Sequence, residues 1–133
     1  MTQTQDTLSI REMCNAFQVT ARTLRFYESK ELLHPIRDGT KRHFTRKDRA
    51  RLMLILRGKR FGFSLEEIRQ LLEMYEHDGS NKAQLTRTIQ IGRKHLAQMQ
   101  AQRAELDLAI TDLQTQLNEG ERLLSAFSKS IPE

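Results

Sequence analysis

The chain has 133 residues, 38% of them apolar and 29% charged, the length of one ordinary domain or of a small domain with one long element. No apolar run approaches the ~18 residues of a membrane span, and the first ten residues lack the basic, apolar, then small-residue pattern of a secretory signal. The one cysteine, Cys14, excludes a disulfide framework or a multi-cysteine metal cage within one chain. The compartment these features imply is the cytoplasm.

The balance is basic, 22 Lys+Arg against 17 Asp+Glu, and its distribution is uneven. Residues 37–60 hold ten basic side chains against Asp38 and Asp48, a local net of +8 in 24 residues. Such a concentration suits a polyanion, because each neutralised phosphate releases a condensed counterion. A solvated helix face is the plainer alternative.

Three segments begin with a hydroxyl residue followed three places later by an acid: Ser9 with Glu12, Thr45 with Asp48, and Ser64 with Glu67. This pattern satisfies free N–H groups at a helix start. A first helix is predicted over about 10–17, with Ile10, Met13, Cys14 and Phe17 on one face. A second is predicted over about 21–29, capped by Thr20 after a turn at Gln18 and Val19. Two short helices with a tight turn have the spacing of a helix-turn-helix, whose second helix can enter a major groove. Extended runs then flank Asp38-Gly39, a strong hairpin signal, so a wing with basic residues at its tip is expected. A third helix is predicted over about 46–60, with Leu52, Ile55 and Leu56 inward, Met53 nearby, and Arg46, Lys47, Arg49 and Arg51 in water. Gly62 ends it. A fourth is predicted over about 65–75, carrying Leu65, Ile68, Leu71, Leu72 and Tyr75, and His77-Asp78-Gly79-Ser80 breaks the pattern.

The remainder reads as one long helix. Steps of four and three pass through Leu85, Ile89, Gly92, Leu96, Met99, Arg103, Leu106, Ile110, Leu113, Leu117, Gly120, Leu124 and Phe127, and ten of these thirteen are apolar. A seam repeating every ~3.5 residues argues for a coiled coil, and hence a dimer. Folding back on the head is the alternative. The fold class is therefore all-α with a small β-hairpin wing: a winged helix-turn-helix head over 1–80, a coiled-coil dimerisation helix over 81–127 and a short tail over 128–133.

The stretches VTARTLRFYESKELLHP, RDGTKRHFT and RLMLILRGKRFGFSLEEIRQLLEMY resemble the MerR family of bacterial transcription regulators, with recognition helix, wing and second helical pair in the family's order over about 8–76. Within the family, TRKDRARLMLILRGKRFGFSLEEI and the short wing look most like regulators of branched-chain amino acid and acyl-CoA catabolism. The resemblance implies a homodimer joined by an antiparallel coiled coil. It implies binding to a pseudo-palindromic double-stranded promoter element between the −35 and −10 elements, with bending and untwisting of the spacer that lets RNA polymerase, an indirect partner, read both.

Carried over residue by residue, the resemblance places Thr20 and Ala21 at the start of the recognition helix, where backbone N–H groups meet a phosphate. Arg22 is expected at a base edge and Arg25 at a base or phosphate. Tyr27 matches a phosphate contact through its hydroxyl, with a packed core aromatic as the alternative, and Phe26 is read as core. Arg37, Lys41 and Arg42 supply the wing's cations. Arg57 and Lys59 fall where the family's second wing touches the backbone. The cysteine positions of the family's metal sensors are not matched, so no metal or cofactor is expected, and Cys14 reads as a core residue. His34, His43, His77 and His95 are too scattered to suggest a metal site. The effector site is unassigned; a pocket near residues 75–85 and an acyl-CoA-like acid follow from the subgroup alone.

No glycine-rich phosphate loop, H-x-x-x-H pair or G-x-S-x-G elbow occurs, so no enzyme is expected. A coiled-coil adaptor with non-specific nucleic-acid binding remains the rival. RNA binding is disfavoured by the absence of Trp and the presence of only Tyr27 and Tyr75 as tyrosines.

Overall fold

Local chemistry directs where the helices of the head start. The computed structural model describes residues 6–76 and 81–130. Its elements in chain order are α1 (Ile10–Phe17), α2 (Ala21–Ser29), β1 (Ile36–Asp38), β2 (Lys41–His43), α3 (Arg46–Arg60), α4 (Leu65–Glu76) and α5 (Lys82–Ser130). The three expected capping boxes all form. Ser9 and Glu12 exchange bonds of 3.1 and 2.8 Å, Thr45 and Asp48 bonds of 3.1 and 3.3 Å, and Ser64 and Glu67 bonds of 3.2 and 2.8 Å. Thr20 caps α2 by accepting from the Thr23 N–H at 3.1 Å.

The helix ends use one device three times. After α3, Gly62 takes φ 85°, its N–H reaches the Lys59 carbonyl at 3.0 Å and the Phe63 N–H reaches Gly58 at 3.0 Å. After α2, Glu31 occupies the equivalent left-handed position at φ 60°, with Glu31 N–H to Glu28 and Leu32 N–H to Tyr27, both 2.9 Å. This is the paired bonding of a Schellman motif, whose left-handed residue is usually glycine. Gln18 ends α1 in the same backbone region, at φ 57°, and turns the chain directly into Thr20 and α2. That tight reversal sets the helix-turn-helix.

One core serves α1 to α4 and the segments flanking the wing. Met13, Leu24, Leu32, Leu33, Phe44, Leu52 and Ile55 are fully buried, and Tyr27, Ile68 and Leu72 nearly so. Ile10, Cys14 and Phe17 pack against it half-buried, as the helical spacing of α1 requires. The wing is a two-stranded antiparallel hairpin with Ile36 opposite His43, Arg37 opposite Arg42, and Asp38 opposite Lys41. Its two loop residues are Gly39 and Thr40, not Asp38 and Gly39, and Gly39 has φ 61°. A positive φ at the first loop position is what a two-residue hairpin turn of the II′ type requires. The extended run before it is also shorter than expected. Leu32, Leu33 and Pro35 are buried, so the first strand begins only at Ile36.

The chain divides into two compact units, 1–92 and 93–133. In the first, α1 to α4 and the wing enclose the core. The second is helical throughout its described residues. Along α5 the apolar seam is in contact with solvent in the single chain: Leu106 and Leu113 are 60% exposed and Phe127 71%. No helix among the described residues is long and apolar enough to cross a membrane. The break expected at residues 77–80 lies outside the described residues.

Candidate nucleic-acid interface

The recognition helix α2 is short and amphipathic. Leu24 and Tyr27 point into the core, and this leaves Arg22 and Arg25, three residues apart, exposed on the other side. Thr20 and Ala21 open the helix. The Thr20 hydroxyl takes the Thr23 N–H and lies 2.9 Å from the Thr23 hydroxyl. Of the aromatic pair, Phe26 is not in the core as expected, and Tyr27 takes the packed position that stood as its alternative. Phe26 is 44% exposed, with the Lys30 ammonium 5.7 Å from its ring centre, and Tyr27 is the core residue at 3%. The helix can bury only one of two consecutive positions, and position 27 shares a face with Leu24. Burial pushes the Tyr27 hydroxyl above its ordinary pKa of 10.0.

A cavity of about 410 Å³ joins two parts of the chain that the sequence left separate. Arg22, Thr23, Phe26 and Tyr27 of α2 line one side, and Lys59, Phe63, Leu65 and Ile68 the other. Arg22 and Lys59 thus share one opening with an apolar floor, next to the Tyr27 ring. Gly58 permits this approach of α3 and α4: a Cβ there would lie 2.9 Å from Cγ1 of Ile68.

The ten cations of 37–60 do not act as one bare patch. Arg51 is largely covered, donating to the Leu32 carbonyl at 2.8 Å and pairing with Glu76. Arg49 donates to the carbonyls of Asp6 at 2.9 Å and Phe44 at 3.4 Å. These two tie elements together instead of standing in water as their position suggested. Arg46 faces Asp6 at 3.5 Å and Lys47 faces Glu76 at 3.8 Å. Among the described residues, Arg22, Arg25, Lys41, Arg57 and Lys59 have no carboxylate partner within 4.0 Å.

The wing's other two cations are held from below. Glu28 of α2 accepts from Arg37 Nη1 at 2.9 Å through one carboxylate oxygen and from Arg42 Nε at 2.6 Å through the other. Burial alone would raise the Glu28 pKa. The hydrogen bonds and charges of Arg42 and Arg37 together outweigh it and hold the carboxyl below its ordinary 4.5. The sequence reading passed over Glu28. The signal available was that it is the only acid between Glu12 and Glu31.

Comparison with known proteins gives this geometry a context. A model described as the MerR HTH family regulatory protein matches residues 8–75, and one described as MerR, DNA binding, matches residues 49–116. The chain is 33% identical over 107 residues to the HTH-type transcriptional regulator ZntR of Escherichia coli (strain K12), covering 79% of this chain and 74% of that one. It is 36% identical over 70 residues to the regulator HmrR of Rhizobium leguminosarum bv. viciae, covering 52% and 54%. Among solved structures it is similar to HiNmlR, a MerR family regulator lacking the sensor domain and bound to promoter DNA. The TM-score is 0.69 at 25% identity, over 95% of this chain and 97% of that one. It is also similar to PbrR691 of Ralstonia metallidurans CH34 in complex with lead(II), with a TM-score of 0.57 at 26% identity, over 93% and 87%. With two family models each spanning half of its length, a relative one-third identical over most of it, and a helix-turn-helix that leaves its cations outward, the chain belongs to the MerR family of DNA-binding transcriptional regulators, which bind promoter DNA.

Proposed function

We propose that this MerR-family regulator works as a homodimer on a pseudo-palindromic site between the −35 and −10 elements, and that it acts by bending and untwisting the spacer. The observation that carries the dimer is the α5 seam, where Leu96, Leu106, Ile110, Leu113, Leu117, Leu124 and Phe127 are each half or more exposed in the single chain. A stripe repeating every ~3.5 residues is buried economically by a second copy. The head over 1–80 then reads DNA and the helix over 81–127 joins two heads. Arg22 contacts a base edge, Arg25 a base or a phosphate, and the N-terminus of α2 at Thr20 and Ala21 a phosphate. Lys41, Arg37 and Arg42 of the wing, with Arg57 and Lys59, grip backbone phosphates. Deformation of the spacer draws its energy from those contacts, and polymerase is engaged only through the reshaped DNA. The setting is the cytoplasm, where the promoter lies.

The test is a nuclease footprint on the promoter of the protein's own gene. A protected, two-fold symmetric window inside the spacer, with enhanced cleavage at its centre from distortion, is expected. Protection without symmetry, or none at concentrations that saturate non-specific DNA, would favour the coiled-coil adaptor.

For the effector, the reading is an acyl-CoA-like acid bound near residues 75–85. It is supported by the local resemblance to acyl-CoA-responsive regulators. A second support is a cavity of about 280 Å³ lined by Gln70, Glu73, Asn81, Ala83, Gln84 and Arg87. Arg87 offers a cation there beside the Glu73 carboxylate, and the Gln70 Oε1 is buried with no partner among the described residues. Calorimetric titration of acyl-CoAs into wild type and Arg87→Ala tests it. Saturable heat lost in the variant is expected, and no heat with wild type contradicts it.

A further inference from the structure

The wing and the recognition helix are separate elements of the head. One side chain connects them. Glu28 sits on α2 one residue after the buried Tyr27, with its side chain 19% exposed, and each of its oxygens holds one wing guanidinium. The two arginines come from opposite strands and are direct cross-strand partners. Like charges placed opposite each other repel, and a two-stranded hairpin has little stability of its own. The wing strands have three residues each. A carboxylate between the two cations offsets their repulsion and ties both to the helix.

We propose that Glu28 is a positioning residue that determines specificity: it holds Arg37 and Arg42 in one place relative to the recognition helix, and withholds them from phosphates that do not match that place. Glu28 uses one N–H donor from each guanidinium, Nη1 of Arg37 and Nε of Arg42. Arginine has five, so donors remain for a phosphate that arrives in register with α2. On an arbitrary duplex the braced wing cannot shift to follow the backbone, and the two cations add little. Without the brace they move independently, and each becomes available for one more sequence-independent phosphate contact. The inference rests on the wing touching DNA, as proposed above.

The experiment measures fluorescence anisotropy of the full-length protein on its own promoter duplex and on a scrambled duplex, across about 50 to about 200 mM salt. Variants are Glu28→Gln, Glu28→Gln with Arg42→Gln, and Glu31→Gln. Glu31 is an exposed acid of the same head, so its variant makes the same change in net charge away from the wing. Thermal melting reports whether each variant folds. On the scrambled duplex, Glu28→Gln is expected to bind roughly three- to tenfold tighter at the lower salt. Its log K against log salt slope should steepen by about 0.9 for each freed cation, up to two. The double variant, which keeps the local charge balance and so remains informative where the single variant does not fold, should steepen by about one such step. The preference for the promoter duplex should fall in both. Slopes and preference equal to wild type, or equal changes in Glu31→Gln, would overturn the proposal. Arg37→Ala with Arg42→Ala in the wild-type background tells the two readings apart. Unchanged promoter binding in that variant would overturn the wing contact itself and the brace with it. A loss there beside an unmoved Glu28→Gln would overturn the brace alone.

Discussion

Asp48 is the one fully buried charged residue among the described residues, at 2% exposure. Its carboxylate accepts from the backbone N–H of His34 at 2.9 Å and from the N–H and hydroxyl of Thr45 at 3.3 Å. It caps α3 and also fixes the chain entering the wing, fourteen residues earlier. Asp48→Ala leaves two part-buried N–H groups unpaired and breaks the capping box, so a loss of about 1–3 kcal/mol is expected in chemical denaturation. Gly58→Ala should also destabilise. The gain in helix propensity, about 1 kcal/mol, is outweighed by forcing the packed Ile68 aside, which costs about 1–3 kcal/mol; a lower melting temperature is the check. At the DNA surface, Arg22→Ala should cost about 1–3 kcal/mol on the specific site and relax sequence preference. Lys59→Ala should weaken all duplexes alike and reduce the salt slope by about 1. Salt titrations on two duplexes separate the two effects. The cap role of Asp48 was legible because it is local. Its bond to His34 was not, because nothing in the spacing of residues 34 and 48 encodes a tertiary contact. Phe26, expected in the core, is exposed for a related reason: adjacent aromatics compete for one inward position, and the phase of a nine-residue helix is set by what it packs against.

At the scale of elements, capping signals located every helix of the head, and both the cap residues and their acids formed the bonds expected of them. The wing moved by one residue for a long-range reason. Leu8 and Phe44 exchange backbone bonds of 2.9 and 2.8 Å, and Phe44 is fully buried. That bridge anchors the second strand so that His43 is its last residue, and the turn falls on Gly39 and Thr40. A local rule for Asp-Gly turns has no access to Leu8. The wing's ion pairs give a pH dependence of known sign. Glu28 titrates below 4.5 in the folded protein, so its contribution to stability is fully present above pH 4.5. It is lost as pH falls through the lowered folded value. The difference in melting temperature between wild type and Glu28→Gln should be constant above that pH and shrink below it. For α5, replacing Ile110 and Leu113 by Lys puts charge in the seam. Sedimentation should then report monomers for the variant and the proposed dimer for the parent, with circular dichroism of the head retained.

At the scale of the molecule, the charge arithmetic pointed the right way and overstated the case. A local net of +8 over 37–60 suggested one continuous polyanion surface. Four of its ten cations are instead held within the head, Arg37 and Arg42 by Glu28, Arg49 by the Asp6 and Phe44 carbonyls and Arg51 by Glu76, whereas Arg46 and Lys47 remain 78% and 73% exposed beside Asp6 and Glu76. The cations left without a partner include Arg22 and Arg25, which lie outside that run. Composition could not distinguish a cation that holds the fold from one that meets a phosphate, because the difference lies in where each acid ends up. The family motifs succeeded where charge counting did not, since they fix the order of helix, wing and second helical pair. The most direct test of the central claim, a regulator that reads duplex sequence through α2, is anisotropy on the protein's own promoter against a scrambled duplex at about 200 mM salt. The account predicts a promoter preference that survives this salt and is reduced in Arg22→Ala. Equal binding to both duplexes, lost together as salt rises, would contradict it.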